Sequence, residues 1–225
     1  MIRTALLLAV AATVATPALA EQRRFALTGF DRIAVAGSDN VTVKQGGFAV
    51  AADGAASDLD KLDIKVEGGV LKIGRKRGQW GWGGKDVQVS VTLPALHGLV
   101  IAGSADVIAD RGGGDQFGLK ISGSGNARIA NLDTKTADIA ISGSGDVVAA
   151  GRCGALNLRV AGSGNADASA LRCTNAAISV AGSGDVSAHV SGQATVNVAG
   201  SGDVTVTGGG RCSKKVAGSG AVRCS

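Results

Sequence analysis

The chain has 225 residues, a formal charge of +5, 36 glycines and 3% aromatic residues. So many glycines, with apolar residues at every second position, exclude a helical bundle. The length fits one domain with a continuous core, and the modest positive charge favours anionic partners; the secretory leader described next makes nucleic acid an unexpected one.

Residues 1–20 read as a secretory signal peptide. Arg3 gives the positive start, Ala5 to Ala15 the apolar run, and Ala18-Leu19-Ala20 a small-x-small cleavage site. Removal leaves 205 residues, Glu21 to Ser225, with a charge of +4 because Arg3 goes with the leader. The expected protein is exported: periplasmic, extracellular or held at the cell surface. No cysteine follows the cleavage site to carry a lipid, and no later segment is long and apolar enough to span a membrane. A single domain is expected over 21–225, divided into an N-terminal coil and β cap (21–97) and regular coils (98–225).

The first copy of a recurring phrase is Val35-Ala36-Gly37-Ser38-Asp39-Asn40-Val41. After Val43 the period lapses until His97. Phe48 to Ala52, Leu62 to Val66, Val70 to Ile73 and Val87 to Leu93 look strand-like, and Glu67-Gly68-Gly69 predicts a hairpin. This segment is expected to close one end of the core, since an open solenoid end exposes apolar surface and unpaired strand edges. Within it, Lys72, Arg75, Lys76, Arg77 and Lys85 surround Gln79-Trp80-Gly81-Trp82-Gly83-Gly84, which holds both tryptophans of the chain. Two indoles on a basic glycine-rich loop suit stacking on sugar rings or contact with a membrane surface; the competing role is to fold back over the core. Trp80, Trp82, Arg75, Lys76, Arg77 and Lys85 are the candidate ligand-binding residues.

From Ile101 to Ser219 the phrase recurs, with Gly-Ser at Gly103, Gly123, Gly143, Gly162, Gly182, Gly200 and Gly218, in steps of 20, 20, 19, 20, 18 and 18 residues. A fixed period near 20 marks a solenoid. Apolar residues stand two and four places before each glycine, as in Ile139 and Ile141, and alternation resumes after it, as in Val147 and Ala149. Each coil is thus strand, corner, strand and return, and the parallel crossovers favour a right-handed β-helix. The alanines of the second strand predict a cavity too thin for bulky aromatic residues. The last coil swaps an inward apolar residue for Lys214, which reads as a stop.

Cys153 and Cys173 each lie nine places before the next corner glycine, so stacking puts them in bridging range. Cys212 and Cys224 flank the last corner, and an exported chain should pair 153 with 173 and 212 with 224. A zinc site lacks CxxC spacing and nearby histidines.

The column after the corners reads Asn40, Asp106, Asn126, Asp146, Asn165, Asp185 and Asp203. Short side chains that bond local backbone suit such corners, and stacked amides form ladders. Asp185 and Asp203 are the neighbouring acids, a weak candidate for sharing a cation; otherwise neither a metal nor a cofactor is expected. Catalysis has little support. His189 should face outward beside Ser169 and Thr207, and His97 adjoins a loop. No corner serine has a nucleophile elbow, and Ser38-Asp39-Asn40 has no accompanying Ser-x-x-Lys.

Phe30-Asp31-Arg32-Ile33, Val41-Thr42-Val43-Lys44-Gln45-Gly46, Gly69-Val70-Leu71-Lys72-Ile73, Thr92-Leu93-Pro94-Ala95-Leu96 and the repeated Ser/Ala-Gly-Ser-Gly-Asp/Asn follow in one order. In these phrases the chain resembles the head GIN domain family, described as proposed autotransporter adhesin heads, over nearly its whole mature length. The resemblance implies a β-helix-like fold and an adhesive role, and carries no catalytic residues. No translocator barrel follows Ser225, so autotransport by this chain itself is not expected. The sequence therefore predicts a non-enzymatic, adhesin-like envelope protein for a polysaccharide, another surface polymer or a surface protein. The alternatives are a carbohydrate-active β-helix enzyme using outward acids such as Asp167 or Asp185, or a purely structural envelope protein. A homo-oligomer is left open.

Overall fold

The computed structural model describes residues 21–76, 78 and 87–225. Residues 1–20, read above as a signal peptide, and the candidates Arg77, Trp80, Trp82 and Lys85 lie outside the described residues.

The N-terminal part contains β1 (Glu21–Phe25), β2 (Arg32–Gly37), β3 (Asn40–Gln45), β4 (Ala49–Gly54), a single helical turn α1 (Ala56–Leu59), β5 (Leu62–Glu67), β6 (Val70–Arg75) and β7 (Gln88–Leu93). The coils continue as β8 (Gly98–Gly103), β9 (Val107–Ala109), β10 (Gly112–Gly123), β11 (Ala127–Gly143), β12 (Val147–Gly162) and β13 (Ala166–Gly182). The last coils hold β14 (Val186–Val190), β15 (Gln193–Gly200), β16 (Val204–Thr207), β17 (Arg211–Gly218) and β18 (Val222–Cys224). The long strands bend, so one strand serves several sides of its coil.

Stacking follows the sequence period. Ile121 pairs with Ile141, Ile141 with Val160, and Val160 with Val180, all in parallel register. All four are at most 2% exposed, so the residues two places before each glycine form one row of the core, and Leu119, Ile139, Leu158 and Ile178, four places before, form a parallel one. After the corners, Val107, Ala127, Val147, Ala166 and Val186 form a second buried row. The coil is a β-solenoid of stacked parallel strands, each burying its apolar side against the rungs above and below.

The corner glycines form a column of their own, and here glycine is required. Gly143 has φ +129°, and a Cβ there would stand 2.2 Å from the carbonyl oxygen of Gly123. That oxygen accepts a hydrogen bond from the Ser144 N–H at 3.0 Å, and the same bond recurs from rung to rung. Close backbone stacking at the corner leaves no room for a side chain.

The N-terminal segment does close one end, but by reversing chain order. The rung built from β6 and β7 lies on the far side of β2 and β3, which pair on their other edge with β8 and β9. The chain thus builds its second rung first, goes out to the end, and comes back. There β5 pairs antiparallel with β6 across the predicted Gly68-Gly69 turn, whose φ values of +59° and +75° give a type I′ hairpin. On the other side β4 pairs antiparallel with β7, and β1 with β4. Leu59 and Leu62 join the core there.

Three expectations need correction. Phe117 is fully buried in the coil interior, so an aromatic does fit; Gly112 makes the room, since a Cβ there would sit 2.6 Å from the ring. His189 stacks on Arg172, not Ser169, because the register shifts between Ala168 and Arg172; Thr207 is its other neighbour. Val216 belongs to the inward row but is 40% exposed, because no further coil covers it.

That last rung is finished by side chains. Cys212 and Cys224 are disulfide-bonded and stack on the buried Ala194 and Val206, tying the two sides of the rung together. Lys214 occupies an inward register position opposite Val196, and its ammonium bends across to the Val222 carbonyl at 2.9 Å. The stem covers the core while the charge stays wet. Cys153 and Cys173 are register partners on adjacent coils, with Cα atoms 4.5 Å apart, and form the other disulfide.

Candidate functional site

Residues 77–86, the segment with both tryptophans, connect Lys76 after β6 to Val87 before β7. The anchor of this connection is Asp39, which is 1% exposed. In the column two places after each corner glycine the later copies have Ala105, Gly125, Gly145, Gly164, Gly184, Gly202 and Gly220. At the glycines of this column a Cβ would strike the carbonyl of the rung below; at Gly145, for example, it would stand 2.1 Å from the Gly125 oxygen. The rung below Asp39 is made by β6 and β7, and the Asp39 carboxylate bonds the two ends of that rung that flank residues 77–86. One oxygen accepts from Arg75 Nη2 at 2.6 Å and from the Val87 N–H at 3.0 Å, and the other accepts from Arg75 Nε at 3.0 Å.

Both ends of the loop are thus bonded to one buried group. The Arg75 side chain is only 14% exposed and its fork faces Asp39, so this candidate anchors the loop from beneath. Lys76 donates its N–H to the Lys61 carbonyl and its ammonium to the Asp60 carbonyl, each at 2.8 Å. Asn40 N–H to the Val87 carbonyl, at 3.1 Å, completes the base. Asp39 was not among the sequence candidates. Its signal was a charged residue in a column otherwise held by alanine and glycine, at the copy where the period stops.

The Asn/Asp column is a continuous ladder. Side-chain oxygens of Asn40, Asn126, Asp146, Asn165 and Asp185 accept the backbone N–H of Asp106, Asp146, Asn165, Asp185 and Asp203, at 2.8–3.0 Å. Asn126 and Asn165 also donate their amides to Asp106 and Asp146, so the alternation converts like-charge contacts into bonds. Asp185 and Asp203 each spend an oxygen on a backbone N–H, of Asp203 and Ala221 respectively. The second oxygen of Asp203 lies 3.9 Å from Arg223. Among the described residues no group of three or more His, Cys, Asp or Glu is placed to hold a metal ion.

The remaining polar candidates are tied locally. Asp167 bonds the Ser169 N–H and hydroxyl. His97 Nδ1 meets Asp31 at 3.1 Å, and His189 Nδ1 meets the Thr207 hydroxyl at 3.3 Å. On the surface, the hydrogen-bonded Arg152 guanidinium holds the Asp133 carboxyl below the usual range. Lys72, then Lys65, does the same for Glu67 in the cap hairpin.

Stacked parallel coils with bonded corners and one capped end define a β-solenoid. The chain belongs to the family described as "Putative auto-transporter adhesin, head GIN domain", whose family model matches residues 29–210. A "putative adhesin" from Bacteroides fragilis is 22% identical, with a TM-score of 0.85 over 92% of this chain and 97% of that one. A "putative lipid binding protein" from Parabacteroides distasonis is 23% identical, with a TM-score of 0.72 over 92% and 96%. A "putative adhesin" from Parabacteroides merdae is 18% identical, with a TM-score of 0.71 over the same shares. At these identities the likeness is one of fold. No curated protein matches the chain.

Proposed function

We propose that the protein is an exported, non-catalytic binding protein of the bacterial cell envelope that holds a polysaccharide or another surface polymer. Trp80 and Trp82 would stack on the polymer, with Lys76, Arg77 and Lys85 supplying charge and Arg75 supplying anchorage. The observation that carries this reading is the loop's attachment: both indoles of the chain sit on a short basic segment whose two ends are bonded to one buried carboxylate. Pre-ordering the base of a loop lowers the entropy lost when a ligand orders it. The adhesin-like family, the two disulfides and the lack of a membrane-spanning helix among the described residues support an exported, surface-binding role.

The test is a glycan array probed with the chain and with a Trp80→Ala/Trp82→Ala double variant. Binding that disappears in the variant, with the far-UV circular dichroism unchanged, supports the reading. Equal binding by both proteins sinks the role of the loop. Release of reducing ends from a bound polysaccharide would replace the binding reading with the enzymatic one.

A further inference from the structure

Many glycines here are forced by positive φ or by close backbone contact, but Gly118 is not. Gly98 and Gly118 are register partners on adjacent rungs, in the column that holds Arg32 on one side and Asp138 on the other. Neither has positive φ. A Cβ on Gly118 would meet nothing within 4 Å, whereas one on Gly98 would sit a tight 3.3 Å from the Gly118 carbonyl oxygen. Strand propensity favours a side chain at both places. Their absence leaves a groove of about 450 Å³ on the outer face of the sheet, open to solvent along one side.

The rim of this groove is charged. Arg32, Lys120 and Arg159 line it, against one acid, Asp138, whose carboxylate already accepts from the Asn157 amide at 2.8 Å. Lys120 and Arg159 share a column two rungs apart, about 9.6 Å along the rod. Val100, 42% exposed, supplies an apolar patch of floor beside the bare glycine backbone.

We propose that this groove binds a stretch of linear glycan carrying carboxylates, a polyuronate; the proposal deepens the polymer-binding reading and rests on it. The cations repeat along the rod axis, as a linear polyanion requires, and exceed the acids three to one. A sugar ring sets an apolar face on the floor and keeps its hydroxyls in water. An acyl chain would need the enclosure that an open sheet face does not give. The side-chain-free rungs let the polymer approach the backbone.

The test is titration calorimetry of the purified chain with oligogalacturonate, with a neutral galactan oligomer and with dodecanoate. Two variants go beside it: Gly118→Phe, which fills the groove where a Cβ has open space, and Lys120→Glu/Arg159→Glu. The expected result is binding of the uronide at least about tenfold tighter than the neutral oligomer, weakened at least about tenfold by either variant and also weakened by salt. Thermal unfolding of both variants should match the parent. Unchanged uronide affinity in folded Gly118→Phe, no uronide binding at all, or binding of dodecanoate in its place would each overturn the proposal. Capture of the neutral oligomer that depends on Trp80 and Trp82, with the uronide ignored, would remove the groove and leave polymer binding by the loop standing.

Discussion

Replacing Asp39 with alanine tests whether the loop and the cap hang on one buried carboxylate. The substitution removes three charge-assisted hydrogen bonds and takes from the Arg75 fork the carboxylate that accepts two of them. Breaking a buried ion pair from one side costs about 3–5 kcal/mol. The Arg75 side chain keeps 14% of its exposure, so water offsets part of this and the low end, about 3 kcal/mol, is expected. At about 2–4 °C per kcal/mol for a chain of this size, the unfolding midpoint should fall by about 6–12 °C. The sequence offers a second readout: with two tryptophans and no tyrosine, intrinsic fluorescence reports the loop alone. In the variant, the fluorescence transition should precede the loss of far-UV circular dichroism, whereas in the parent the two should coincide. A double-mutant cycle with Arg75→Ala should return a coupling of about 2–3 kcal/mol. A midpoint within about 1 °C of the parent, with coincident transitions, would refute the anchoring role of Asp39.

Gly143→Ala places a Cβ 2.2 Å from the Gly123 carbonyl; it should cost at least about 3 kcal/mol in chemical denaturation, while Gly47→Ala, which meets nothing within 4 Å, should be nearly silent. Cys153→Ser/Cys173→Ser opens a bridge over 20 residues and should lower stability by about 3 kcal/mol with parent-like circular dichroism. Asn165→Asp sets four acids in a row with Asp146, Asp185 and Asp203 and removes an amide donor; about 1 kcal/mol of destabilisation, recovered in part by salt, is expected in denaturant titrations. Lys214→Leu removes the charge guarding the open rung, and sedimentation should then show concentration-dependent self-association absent from the parent.

The regular coils were legible because period and chemistry agree. A step of 18–20 residues put Ile141, Val160 and Val180 in one row and Cys153 beside Cys173 before any coordinates. The hairpin at Gly68-Gly69 was equally plain, since a type I′ turn demands those residues. Short α1 and the edge strand β1 carry no apolar period and went unread. The two-residue shortening near His189 changed its neighbour, because a bulge moves register without altering composition.

What the sequence determined alone was a solenoid: a repeat of glycine, serine and alternating apolar residues has one way to bury its apolar side, by stacking on itself. What the tertiary structure decided was where that stacking is interrupted. The reversed order of the first rungs, the carboxylate of Asp39 beneath the loop, and the bare rungs at Gly98 and Gly118 all depend on residues brought together over long separations. Those contacts follow from three-dimensional register, and no local period encodes it.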